Sequence, residues 1–161
     1  MLRLCLHSIA NVLIWGKGNA KEVSIMASLT KVEGIGKKFQ RQLQKAAIST
    51  TDALLKNGAT RKGRNQIAKE SGISVKLILE WVNHADLFRI KGVGEEYADL
   101  LEASGVDTVV ELGKRIPENL LAKMAEVNSK GKKKLVRQLP GINQVKAWVK
   151  QAKKLKRLVT H

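Results

Sequence analysis

The chain has 161 residues, one cysteine (Cys5) and 4% aromatic residues. That length supports one domain or two small ones with a helical core that stands without cross-links, and a single cysteine excludes a disulfide framework and a multi-cysteine zinc site while fitting a reducing, cytoplasmic setting. Thirty Lys and Arg against fourteen Asp and Glu give a formal net charge of +16, which points to a polyanionic partner, nucleic acid first, while the scarcity of aromatics argues against a surface that stacks many bases.

Residues 1–28 read differently from the rest. Leu2, Leu4, Leu6, Ile9, Val12, Leu13, Ile14 and Trp15 form a patchy apolar stretch interrupted by His7, Ser8 and Asn11. It is too short to span a bilayer and lacks the unbroken run and small-residue cleavage pattern of a secretory signal. The segment is set aside as a poorly ordered N-terminal extension, with Met26 as an alternative start; an added helix packed on the domain is the competing reading.

From Leu29 to about Leu158 the apolar residues recur at helical spacing, and residues 159–161 are read as a tail. Phe39, Leu43 and Ala47 share a face. Ser74 is placed to cap a helix carrying Leu77, Ile78, Trp81 and Val82, and Pro117 to open one carrying Leu120, Leu121, Met124 and Val127. Val145, Trp148, Val149, Ala152 and Leu155 make the last stripe. No convincing period-two strand is found, and breakers at Asn57-Gly58, Gly72, Gly105 and Pro140-Gly141 divide the chain. The expectation is an all-α, compact bundle of short helices.

Charge is unevenly distributed. Residues 86–113 hold Arg89 and Lys91 against Asp86, Glu95, Glu96, Asp99, Glu102, Asp107 and Glu111, whereas residues 114–161 hold fourteen cations and two acids. The acidic island is expected to face solvent or the basic C-terminal segment. The basic face of the last helix fits polyanion contact or docking on that island; its apolar stripe is needed by the core, so no membrane partner is expected.

An internal repeat organises the chain. Val32-Glu-Gly-Ile-Gly-Lys-Lys-Phe39 aligns with Ile90-Lys-Gly-Val-Gly-Glu-Glu-Tyr97 at an offset of 58, and the match continues through Leu43/Leu101, Ile48/Val106, Thr50/Thr108 and Leu54/Leu112. Both copies, at about 31–55 and 89–112, resemble helix-hairpin-helix motifs. Glycine admits the positive φ of a tight turn, the central apolar residue anchors the loop, and the next helix begins with unpaired N–H groups suited to phosphate. The resemblance implies a SAM-like, helix-hairpin-helix-type fold that grips the DNA backbone without sequence specificity, in some members with a monovalent cation on hairpin carbonyls.

The copies differ in charge: Lys37, Lys38 and Arg41 stand where the second has Glu95, Glu96 and Asp99. The second hairpin would repel phosphate, so only the first is expected to touch nucleic acid. The candidate nucleic-acid residues are Gly34, Ile35, Gly36, Lys37, Lys38 and Arg41, extended by Arg61, Lys62 and Arg64 and by Lys132, Lys133 and Lys134. Glu95, Glu96 and Asp99 are the candidate protein contact. Structural roles for both hairpins, with the lysines merely solvated, are the plain alternative.

Arg64 to Trp81 resembles a helix-turn-helix, with Ala68, Gly72, Ile78 and Trp81 at suitable spacing. Its second helix would expose Ser74, Lys76, Glu80 and Asn83, a poor set for reading a major groove, so a helix pair joining the two hairpins is the preferred reading. From Leu29 to about Leu158 the chain is also similar to the bacterial domain-of-unknown-function family 4332, which is related to helix-hairpin-helix domains. The resemblance is carried by Ser71 to Asn83, Ala85-Asp-Leu87, Gly92 to Glu102 and Gly105 to Val109.

His7, His84 and His161 lie far apart, and no metal-ligand spacing or phosphate loop is present. The expected function is therefore non-enzymatic, sequence-nonspecific nucleic-acid binding, to DNA more than RNA, with no cofactor required and no small-molecule substrate, in the cytoplasm or on the nucleoid. The alternative is a protein-interaction or scaffold module that uses the acidic second hairpin.

Overall fold

The structure is a computed structural model that describes residues 28–131 and 134–160. The expectations for residues 1–27 and for Lys132 and Lys133 lie outside the described residues. A 3-10 turn, Leu29–Lys31, leads into α1 (Lys37–Lys45), α2 (Thr51–Gly58), α3 (Arg61–Ser71) and α4 (Val75–Leu87), followed by α5 (Glu95–Ala103), α6 (Val109–Lys114), α7 (Pro117–Lys130) and α8 (Ile142–Ala152). Among the described residues no strand forms, and an isolated bridge joins Ser28 to Thr50. The all-α expectation is met.

Local chemistry sets the helix starts. Thr50, Thr60, Ser74 and Thr108 each accept a hydrogen bond from the backbone N–H three residues on, at 3.1, 3.1, 3.4 and 3.3 Å, satisfying a donor that the helix leaves free. Pro117 fills the first position of α7, where its missing N–H costs nothing.

The repeat is visible in the backbone. Gly34 and Gly92 have φ of +82° and +90°, and Gly36 and Gly94 cap the nine-residue helices α1 and α5. Ala47 and Gly105 follow those helices at φ +56° and +81°. Ala47 thus lies past the end of α1 in a left-handed turn, which corrects its expected place on the helical face of Phe39 and Leu43.

The correspondence then runs further than the sequence alignment. Ile78, Trp81, Val82 and Ala85 of α4 match Val145, Trp148, Val149 and Ala152 of α8, and all eight are buried. Trp81 packs edge-on against Phe39 with ring centroids 5.1 Å apart and planes at 62°; Trp148 meets Tyr97 at 5.1 Å and 60°. A Cβ built on Gly34 would lie 3.3 Å from Trp81 Nε1, and one on Gly92 would lie 3.3 Å from Trp148 Nε1. The last helix of each four-helix unit therefore closes back on the glycine turn that opened it.

One apolar core runs through both units, from Leu29, Leu43 and Leu54 through Leu87 and Ile90 to Leu101, Leu112 and Val145. After α8 the chain returns to the first unit. Val159 is buried, the Thr160 N–H donates to Ala59 O at 2.9 Å, and Arg64 Nη2 donates to Thr160 O at 2.7 Å.

These turns predict an ordered set of stabilities. Gly34→Ala and Gly92→Ala should each lower the unfolding free energy by about 1–2 kcal/mol, the cost of holding an L-residue at left-handed φ. Gly36 is extended with φ −78°, and a Cβ there meets nothing within 4 Å, so Gly36→Ser should keep or raise stability by adding a capping hydroxyl. Urea unfolding followed by tryptophan fluorescence checks the order; equal losses at Gly34 and Gly36 would contradict it.

Candidate functional site

The first turn is held from below and open above. Val32 and Ile35 are buried, while Gly34, Gly36, Lys37 and Lys38 are exposed. The Ile35 N–H donates to Val32 O at 3.1 Å, and the Gly36 N–H to Gly34 O at 3.2 Å. Those two carbonyls keep the second lone pair that a monovalent cation there would need. No side chain caps α1, so the donors at its start lack a side-chain acceptor in a region of positive helix-dipole potential. Lys37, Lys38 and Arg41 are exposed, and none forms an ion pair among the described residues.

The second turn repeats this backbone with opposite chemistry. Val93 is buried beneath it, and Gly94 likewise caps without a side-chain bond. Glu95 and Glu96 are exposed beside a shallow groove of ≈ 400 Å³ that Arg137 and Gln138 complete from the α7–α8 connection. Asp99 departs from the expected contact set: its side chain is only 16% exposed and points toward His84.

Asp99 belongs to a junction between the units. His84, near the end of α4, is buried; its Nε2 lies 2.6 Å from Glu102 Oε2 and its Nδ1 lies 3.7 Å from Asp99 Oδ1. Burial opposes a charged imidazole, but the hydrogen bond to Glu102 and the charges of Glu102, Asp99 and Glu33 outweigh it and raise the His84 pKa. Burial, then the Glu33 carboxyl by hydrogen bond and charge, pushes Asp99 up to about 7. The bond from His84 lowers Glu102. Nearby, Asp86 is buried, accepts from Val109 N at 2.9 Å and pairs with Arg89 at 2.7 Å. The acidic island is thus partly spent inside the fold, where solvent or the basic tail had been expected to meet it.

The remaining candidates separate. Arg61 and Lys62 are exposed at the start of α3, whereas α1 meets the other end of that helix, Gln42 Nε2 donating to Ser71 O at 3.2 Å. Arg64 is buried, and its Nη1 donates to Gly58 O and Ala59 O at 2.9 and 3.1 Å; it braces the fold and offers no surface. Lys134 is exposed on a connection pinned by Asn128, which accepts from Leu135 N and Val136 N and donates to Val136 O. In the helix-turn-helix segment Ser74 and Lys76 are exposed as expected, but Asn83 is buried, along with every residue from Trp81 to Phe88, so the C-terminal half of α4 is core.

Among the described residues no group of three or more His, Cys, Asp or Glu is placed to hold a metal ion, and no helix is long and apolar enough to cross a membrane. The fold and its turns define an all-α domain of two matched units. The chain belongs to the family described as Domain of unknown function (DUF4332), whose model matches residues 33–155. No match was found among the curated proteins or among the solved structures.

The junction makes stability depend on pH. His84 and Asp99 both have raised pKa values in the folded state, so near neutrality folding takes up protons and stability falls as pH rises through about 7. Glu102 is lowered, so its contribution is lost as pH falls below the usual carboxylate range. The melting temperature should peak at mildly acidic pH and decline toward pH values above 7, with Asp99→Asn flattening the decline. A melting temperature that rises between those limits would contradict the assignment.

Proposed function

We propose that this chain is a non-enzymatic, sequence-nonspecific nucleic-acid-binding protein that holds the phosphodiester backbone of DNA at its first glycine turn, used as a helix-hairpin-helix element. The observation that carries the reading is the contrast between the helices that two turns of matched backbone open: the first, at Gly34-Ile35-Gly36, leads into exposed cations without ion pairs, Lys37, Lys38 and Arg41, and the second into Glu95, Glu96 and Asp99, although Glu33 and Lys91 just before the turns differ in the opposite sense. Backbone N–H groups and flexible cations meet phosphates and carry no base information, hence the lack of sequence preference. The start of α4 exposes Ser74, Val75 and Lys76, one cation and no amide, while Asn83 is buried, a poor set for reading a groove. Phe39, Tyr97, Trp81 and Trp148 pair with one another in or against the core, which favours duplex over a stacked single strand.

Glu95 and Glu96 support a second reading. Exposed carboxylates on the same backbone geometry repel phosphate and suit a basic protein surface, so the second turn is the contact if the chain is an interaction module.

Fluorescence-anisotropy binding of the full chain to a mixed-sequence duplex, over about 50 to 200 mM salt, tests the proposal. Affinity should fall steeply with log salt, and Lys37→Glu/Lys38→Glu should cut affinity and reduce the slope by about 1.8, two phosphates' worth. Unchanged binding by the double variant overturns the role of the first turn. Loss of a protein partner on Glu95→Lys/Glu96→Lys, with no duplex binding by wild type, favours the second reading.

A further inference from the structure

The segment after α8 is held at three points, the last of them on the first unit. Arg89 Nη1 and Nη2 both donate to Lys156 O at 3.1 Å, Val159 is buried, and Thr160 is held through its N–H to Ala59 O and its carbonyl to Arg64 Nη2. This strap carries Lys154, Lys156 and Arg157, all exposed. Its end docks at the corner between α2 and α3, where Arg61 and Lys62 are exposed. Arg61 is close enough that its charge, after burial itself, depresses the pKa of Arg64. A chain end that carries one cation group is thus tied, through Thr160 and the buried Arg64, to the corner that carries the other, and none of the five forms an ion pair among the described residues.

We infer that the docked strap and the α2–α3 corner make a second polyanion surface, built from Arg61, Lys62, Lys154, Lys156 and Arg157, that takes the phosphodiester backbone of a nucleic acid. Neutralising adjacent phosphates requires cations held at one face, and docking supplies that by turning a chain end into part of a surface. Arg64 and Val159 are positioning residues, because they fix the strap and do not touch the ligand. The inference rests on the reading of the ligand as nucleic acid and is independent of the first turn.

Acetylation of the full chain by an amine-reactive ester, with and without saturating mixed-sequence duplex and read per lysine by mass spectrometry, tests it. Lys62, Lys154 and Lys156 should lose reactivity several-fold on duplex binding, while Lys76, beyond the opposite end of α3, stays unchanged. Protection of Lys37 and Lys38 without Lys62, Lys154 and Lys156 overturns this surface and leaves the first turn standing. No protection anywhere overturns both. Val159→Ser, which keeps every cation but loosens the strap, should reduce the salt slope of binding by about 2.7, the strap's three cations. A slope like wild type in a folded variant shows that docking builds nothing.

Discussion

The contact between a tryptophan and a left-handed glycine organises each half of this protein. Gly34 and Gly92 adopt a φ open to glycine at little cost, and the indole nitrogens of Trp81 and Trp148 approach so closely that a Cβ at either would meet them at 3.3 Å. Because the tryptophan comes from the fourth helix of each unit, the turn is correctly shaped only when all four helices are in place. A backbone N–H site that is shaped before it binds holds a phosphate at lower entropic cost than one that must be ordered.

With one backbone built twice, chemistry resides in the side chains that border each turn. Four charges reverse between the copies, Glu33/Lys91 in the opposite sense to the other three, and the fold accounts for one of the four directly. Asp99, matching Arg41, faces a buried histidine at the junction of the units, whereas Arg41 faces solvent. The reversals at Lys37/Glu95 and Lys38/Glu96 occur on exposed positions in both copies and answer to no packing demand. They are therefore solvent-facing differences between two turns of matched backbone.

The glycines of the turns and the capping Ser74 were legible because backbone conformation and orphan N–H groups restrict residue type at single positions. The match of Trp81 to Trp148 was not. It lies at an offset of 67 where the turns lie at 58, since α7 has fourteen residues to eleven in α3 and its connection to α8 is longer. Nor did sequence separate Arg64 from Arg61 and Lys62: the buried arginine is distinguished by a carbonyl 96 residues away. Asn83 and Asp99 look polar and surface-bound until α4 is found at the centre of the packing and α5 against its end. These errors share a cause, that burial of a polar residue is decided by partners distant in the chain.

The most direct test of the central claim, that the first turn and not the second holds the phosphate backbone, is an amide spectrum of the ¹⁵N-labelled chain titrated with a short duplex at low salt. The account predicts the largest shifts at Gly36, Lys37, Lys38 and Phe39, with the matched amides of Gly94, Glu95, Glu96 and Tyr97 little moved. Binding that leaves Gly36 to Phe39 unmoved, or shifts both turns alike, would contradict it.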